Sequence, residues 1–382
     1  MIRFLTAGES HGPALTTIVE GAPSGLPLDA EGLSEELARR RLGHGRGPRM
    51  RLEKDEIDIL GGVRFGRTLG GPISVIIRNT EWGRWSAEMS PEEGTSRRPM
   101  TSPRPGHADL PGMLKYQTHD ARDILERASA RETAARTVAG YISKILLAEV
   151  GITIVSHVVQ IGDVRSGAEI PHPRDAATID ASPVRCGDPA IEGRMIEAID
   201  IAKKERDTLG GVVEVVAYDV PAGIGSHVHW DRRLDTALAA GLMSIQGIKG
   251  VEVGDGFESA SRPGSEAHDE IHPGRSAFTR ETNRAGGIEG GISNGSIIRV
   301  RAAMKPISTL MRPLATVDVT TGEVSVAFRE RSDVCAVPAA GVVAEQMVAL
   351  AIAREMQRVY GGDSVDAFVE ADAAHRRRLS EF

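Results

Sequence analysis

Cysteine is almost missing from this chain of 382 residues. The two present, Cys186 and Cys335, are too few for a disulfide framework and have no metal-ligand spacing, so a reducing compartment is the simpler expectation. Aromatic residues are also scarce, at 4%, so the core must rest on Val, Ile, Leu, Met and Ala, with little to stack on nucleic-acid bases. Positive charge is not in excess. The net charge of -7 argues against a protein that binds nucleic acid over its whole surface. No apolar run approaches the roughly 18 residues needed to cross a bilayer. The N-terminus shows no basic segment followed by an apolar stretch, which points to a cytoplasmic protein. There is no Gly-x-x-x-x-Gly-Lys-Ser/Thr loop, linker, low-complexity tract or short-period repeat. One α+β domain over residues 1–382 is expected, because functional-looking loops come from both ends of the chain.

Glycine, by contrast, is plentiful at 43 residues, and it flanks two histidines. One is in Gly8-Glu9-Ser10-His11-Gly12 and the other in Arg104-Pro105-Gly106-His107-Ala108-Asp109. Glycine lets the backbone bend sharply and a ligand approach closely, and histidine is the side chain suited to proton transfer near neutrality. With arginine-rich loops nearby, the pair points to proton chemistry on an anionic small molecule. Whether the two meet in space is not readable from their spacing.

Apolar periodicity predicts a helix from Asp29 to Leu42 ending at Gly43, and a strand from Pro72 to Asn79. Residues 81–106 read as a long functional loop. Asp120 to Val150 should be largely helical, followed by a strand from Ile152 to Ile161. A helix from about Ile191 to Leu209 should precede a strand from Val212 to Val220, and Asp231 can cap a helix through Leu234, Leu238, Leu242 and Ile245. Residues 252–285 look irregular, with strands expected at Ile297–Met304 and Glu323–Phe328. Pro338 suits the first turn of a last helix reaching Tyr360, after which the polar tail from Asp372 should fray.

The run Arg39 to Arg51 gathers positive charge where a helix ends in a glycine turn. It reads either as a phosphate or carboxylate site, with bidentate arginine contacts, or as a solvated basic face that could serve a polyanion. Gly286 to Gly295 reads either as exposed backbone N–H groups for a flat ring or phosphate, or as a series of hairpin turns. His227-Val228-His229 lacks a further ligand at a convincing interval, so no metal is expected. Ser10 has no nucleophile elbow around it, which disfavours a serine hydrolase.

Taken together, the blocks Ala7 to Gly12, Arg46-Gly47-Pro48-Arg49-Met50, Arg104 to Asp109, Glu126 to Thr133, Gly286 to Gly295, Lys305 to Thr309 and Arg331-Ser332-Asp333 resemble the chorismate synthase family, in its order and over nearly the whole chain. Departures are small. Gln117 stands where glycine is common, Val334 where proline is frequent, and Gly247 where alanine is usual.

The resemblance implies a helical layer between two antiparallel sheets and a homotetramer. It implies a lyase that converts 5-enolpyruvylshikimate 3-phosphate to chorismate and phosphate by anti-1,4-elimination, with reduced FMN required although there is no net redox change. It makes His11 the acid that protonates departing phosphate, His107 the group that protonates and stabilises reduced flavin, and Asp333 the base for the ring proton. Flavin contacts carry over to Arg127, Ala128, Ser129, Gln246, Gly247, Gly290, Lys305, Pro306, Ile307, Ser308, Thr309 and Arg331. Ser10, Arg40, Arg46 and Arg49 fall to the substrate phosphate or to a nicotinamide nucleotide (NADP). Neither nucleic acid nor a membrane is an expected partner.

Overall fold

The Asp29 carboxylate accepts a hydrogen bond from Gly32 N at 2.7 Å and starts helix α1 (Ala30–Arg41). Glu31 in its first turn and Arg39, Arg40 and Arg41 in its last suit the helix dipole. The structure, a computed structural model, describes residues 1–47, 55–167, 169–274, 278–330 and 332–382.

The first antiparallel sheet is built from β1 (Arg3–Ala7), β2 (Ala14–Glu20), β3 (Ile57–Gly61) and β4 (Ile73–Arg78), in the order β1-β2-β4-β3. Leu15, Thr17 and Val19 alternate inward along β2, as a half-buried strand requires. The second sheet uses β5 (Thr153–Ile161), β6 (Val164–Arg165), β7 (Gly211–Tyr218), β8 (Ile248–Val253) and β9 (Ile298–Met304), in the order β8-β9-β7-β5-β6, again antiparallel.

The remaining long helices are α2 (Asp109–Tyr116), α3 (Arg122–Ala128), α4 (Thr133–Ala148), α5 (Pro189–Lys204), α6 (Leu234–Met243), α7 (Val337–Tyr360) and α8 (Val365–Glu381). Helix α4 packs on β1, β2 and β4, α7 packs on β5, β7 and β9, and the two helices pack on each other. Gly140 makes that crossing possible: a Cβ there would lie 2.1 Å from Gln346 Cβ. One apolar cluster runs from Ile2 and Leu15 through Val138 and Ile142 to Val348 and Phe368. A smaller one is centred on Met113, Ile124 and Leu125, with Met100, Val319 and Phe328 packed against it.

Several expectations need correction. The helix predicted over 120–150 is broken at Ser129, whose extended backbone (ψ 142°) separates α3 from a short 3-10 turn and α4. Asp231 does not cap α6; it sits in a 3-10 turn and binds His229 Nδ1 at 2.8 Å. Residues 252–285 contain the end of β8 and a hairpin, Ile271–Pro273 with Phe278–Arg280. The tail does not fray. Ser364 caps α8, and Phe368 is buried against the core with Tyr360 Oη donating to Asp372 at 3.0 Å. Finally, α7 has a mean hydropathy of 1.4 over an 18-residue window, apolar enough by composition to cross a bilayer, although 94% of that window is buried inside the protein.

Candidate active site

Strand β1 runs straight into the turn that carries His11. Gly8 there has φ +96°, and a Cβ would lie 2.2 Å from the Ala14 carbonyl oxygen, so only glycine fits. Ser10 N donates to Glu126 O at 3.0 Å, and Asn79 Nδ2 donates to Gly12 O at 2.9 Å, pinning the turn to α3 and β4. His11 is held by one carboxylate twice: its backbone N donates to Glu126 Oε2 at 2.8 Å, and its Nδ1 lies 2.9 Å from Oε1. Arg122 Nη1, one helical turn away, donates to the same Oε1 at 2.7 Å. The Trp85 ring lies against the imidazole, with centroids 4.0 Å apart.

Burial pushes the Glu126 carboxyl up, but its hydrogen bonds to His11 and the charge of Arg122 outweigh that and hold it below the usual range. Glu126 is therefore a carboxylate that only accepts, so Nδ1 of His11 carries the hydrogen and proton transfer falls to Nε2.

His107 repeats the arrangement. Its Nδ1 contacts Asp109 Oδ1, and Asp109 is fully buried at the start of α2. Asp109 also accepts from Arg104 Nε at 2.8 Å and from Arg104 Nη2 at 3.1 Å. Arg104 Nη2 lies 3.1 Å from His107 Nδ1 as well. Two donors cannot bond each other, so the shorter contact to the carboxylate decides the tautomer, and Nε2, which lies 3.4 Å from the same Arg104 Nη2, is the ring nitrogen that can exchange a proton. Burial raises the Asp109 carboxyl, while His107 and Arg104 together bring it down to about 2.

A folded-state value below that of a free carboxyl adds stability that is complete above about pH 4 and is lost as pH falls toward about 2. Between about pH 5 and about pH 2.5 the unfolding free energy of the wild type should therefore fall by about 1–2 kcal/mol more than that of Asp109→Asn. Denaturant titration at the two pH values measures this. Equal falls would remove Asp109 from the pH dependence.

Asp333 sits at the opposite wall, accepting from Arg46 Nη1 and from Gly47 N, both at 2.6 Å. Val334 N donates to Gly45 O at 2.8 Å, so the turn after α1 and the segment before α7 are stitched together. Arg40, Arg41 and Arg131 surround buried Asp55, whose carboxyl is raised by burial but held low by these charges. The basic run is thus no solvated face in its described part. Arg39 pairs with Glu36, Asp180 and Glu345, and Arg40 is 3% exposed.

The segment 305–309 closes the site. Lys305 N donates to Gly247 O at 2.9 Å, and Lys305 Nζ reaches Gly106 O and Ser308 Oγ. Burial, with some help from Lys249, lowers the Lys305 pKa. Arg104 Nη1 donates to Thr309 Oγ1 at 2.7 Å, joining this segment to His107.

These segments enclose a cavity of about 880 Å³, toward the upper end of the range for small-molecule pockets. His11, His107 and Asp333 all line it, with Ser10, Arg40, Arg46, Ala128, Ser129, Gln246, Gly247 and 305–309. Further cations line it too, namely Arg98, Arg104, Arg122, Arg131 and Arg329, against, among the described residues, the carboxylates of Glu330 and Asp333. Part of its lining is apolar, from Leu125, Ile245, Ala339, Ala340 and Val343. Such a site can bind an anionic ring compound, neutralise a leaving oxyanion and exchange protons at two imidazoles.

Two of the proposed contacts lie elsewhere. Arg127 turns back from the cavity and donates to Gly8 O at 3.1 Å and Thr6 O at 2.8 Å, bracing the His11 turn from behind. Gly290 is the bend of a small hairpin, Ile288–Glu289 with Ile292–Ser293, so the Gly-rich block forms turns rather than cavity wall. Arg49 and Arg331 lie outside the described residues. Among the described residues no cluster of three or more His, Cys, Asp or Glu is placed to hold a metal.

Sequence reasoning left out Trp85, Arg122 and Glu330 altogether, and quoted Arg104, Asp109, Glu126 and Arg131 without giving them roles. A carboxylate two residues beyond His107, and Arg122 four residues before Glu126, were available signals. Trp85 had none.

The chain also matches known proteins over nearly its full length. A family model described as chorismate synthase matches residues 2–357. Chorismate synthases from Frankia casuarinae and Thermobifida fusca are 58% and 57% identical to it, over 96% of each chain. A solved structure described as "Crystal Structure of Chorismate Synthase" is 40% identical with a TM-score of 0.80, covering 100% of this chain and 99% of that one.

Proposed function

The chain belongs to the chorismate synthase family and is a lyase that converts 5-enolpyruvylshikimate 3-phosphate to chorismate and phosphate; from that premise we propose how its own residues divide the work. The convergence of His11, His107, Asp333 and a set of arginines on one cavity carries the assignment. Arg46 and Arg40, with Ser10 beside them, hold the phosphate and neutralise its charge as the carbon–oxygen bond breaks. His11 Nε2 gives its proton to the departing oxygen, and the imidazolium it starts from is steadied by Glu126. Asp333 takes the ring proton. Its oxygens are bonded to Arg46 and Gly47, so Arg46 must shift toward the phosphate to expose Oδ2.

The family uses a flavin, and we assign reduced FMN to the same cavity. The fit rests on an acceptor, Gln246 Oε1, which is buried with no hydrogen-bond partner among the described residues and suits a ring N–H. The apolar part of the lining suits a flat ring system, and Ala128, Ser129, Gly247 and Lys305 through Thr309 would hold it. When bound, reduced flavin supplies electron density transiently to the eliminating ring and recovers it. His107 Nε2 directs a proton and positive charge toward that ring.

The packing of α4 on the first sheet and α7 on the second supports a helical layer between two sheets. Buried, free Cys186 and Cys335 are compatible with a cytoplasmic location. We take the assembly to be a homotetramer. Anaerobic mixing with the enolpyruvyl substrate and reduced FMN should release phosphate and form chorismate in equal amounts. Folded protein that gives neither product with confirmed reduced flavin would overturn the reading.

A further inference from the structure

Glu330 sits between the two histidine stations, and its ion pairs run to arginines rather than to either imidazole. Its Oε2 lies 3.9 Å from Arg104 Nη1 and its Oε1 3.8 Å from Arg122 Nη2. Arg104 binds Asp109, which holds His107. Arg122 binds Glu126, which holds His11. Charges of alternating sign therefore run without a break from one histidine to the other, and Glu330 is the central link.

We propose that Glu330 is a positioning residue that couples His11 to His107. Without its charge Arg104 keeps Asp109 and Arg122 keeps Glu126, but the carboxylate they share is gone and their mutual repulsion is less offset. Each guanidinium is bonded to the carboxylate that sets its histidine's tautomer and ring orientation, so movement of either is passed to an imidazole. A single change at Glu330 thus acts on both stations at once. The effect cannot be one of net charge alone, because removing an anion from a cationic cavity should tighten an anionic substrate rather than weaken it.

This inference rests on the roles proposed above for the two histidines, and its first test is read without turnover. In full-length protein with ring-nitrogen-labelled histidine, NMR reads the ring-nitrogen signals of His11 and His107, each assigned by single substitution. Glu330→Gln should shift both sets of signals. It should also lower kcat about 3- to 30-fold without raising KM. Adding Glu126→Gln or Asp109→Asn to it should cost less than the product of the single losses, as expected for groups in one network. If neither histidine, or only one, responds, or if the losses simply multiply, Glu330 does not couple them. Full activity of His11→Ala and His107→Ala would instead overturn the proposed roles while leaving a shared spectral response intact.

Discussion

Replacing His11 by alanine should lower kcat by about 10²- to 10⁴-fold, the usual contribution of a positioned general acid. The expectation is specific because the surroundings of His11 commit it to one task. Glu126 takes its backbone N and Nδ1 and Trp85 packs on its ring face, so the proton that leaves with phosphate is assigned to Nε2. Phosphate itself is proposed to be held by arginines, so KM should change far less than kcat, the pattern of an interaction made mainly in the transition state. Anaerobic initial rates of phosphate release with reduced FMN, on protein shown to be folded, provide the check. A rate within threefold of wild type would eliminate His11 as the acid.

The second large effect concerns stability. Glu345 is completely buried in the middle of α7, in contact with Arg39, Lys144 and Arg185. Burial alone would push its carboxyl up, but the three positive charges hold it well below the usual carboxylate range. Its Oε1 also accepts from Ser156 N at 2.9 Å, which links α7 to β5. Glu345→Ala leaves three cationic groups facing a hole in the core. It should destabilise the fold by about 3–5 kcal/mol, the range seen when one partner of a buried ion pair is removed. Glu345→Gln retains an acceptor for Ser156 N and should lose less. Denaturant midpoints for the three proteins give the comparison, and a loss below about 1 kcal/mol for the alanine variant would mean that the network adds little.

This network also explains why α7 could be misjudged. A sequence of small and aliphatic residues whose first 17 positions carry one charged residue, Glu345, reads as a core helix or as a bilayer span. The charges that identify it as a core helix come from α1, α4 and the segment before α5, far away in the chain. The break at Ser129 was equally hidden, since 120–150 is apolar at helical spacing on both sides of it. Its reason is local to the site, where Ala128, Ser129 and Ala130 line the cavity.

By itself the sequence determined the ends of α1, β4, β5 and α7 closely, because caps, glycine stops and apolar periodicity act over a few neighbouring residues. It also determined which residue types were available for proton transfer and for holding anions, since these follow from side-chain chemistry. Only the tertiary structure decided that His11, His107 and Asp333 share a cavity, that Arg127 and Gly290 are not among its lining, and that each histidine is held by a buried carboxylate. The pairing of His11 with Glu126 and of Asp333 with Arg46 joins segments more than a hundred residues apart, which no local pattern encodes, whereas Asp109 stands only two residues from His107. The long-range pairings arise when two sheets and the helices packed on them bring the turns of both chain halves to one place.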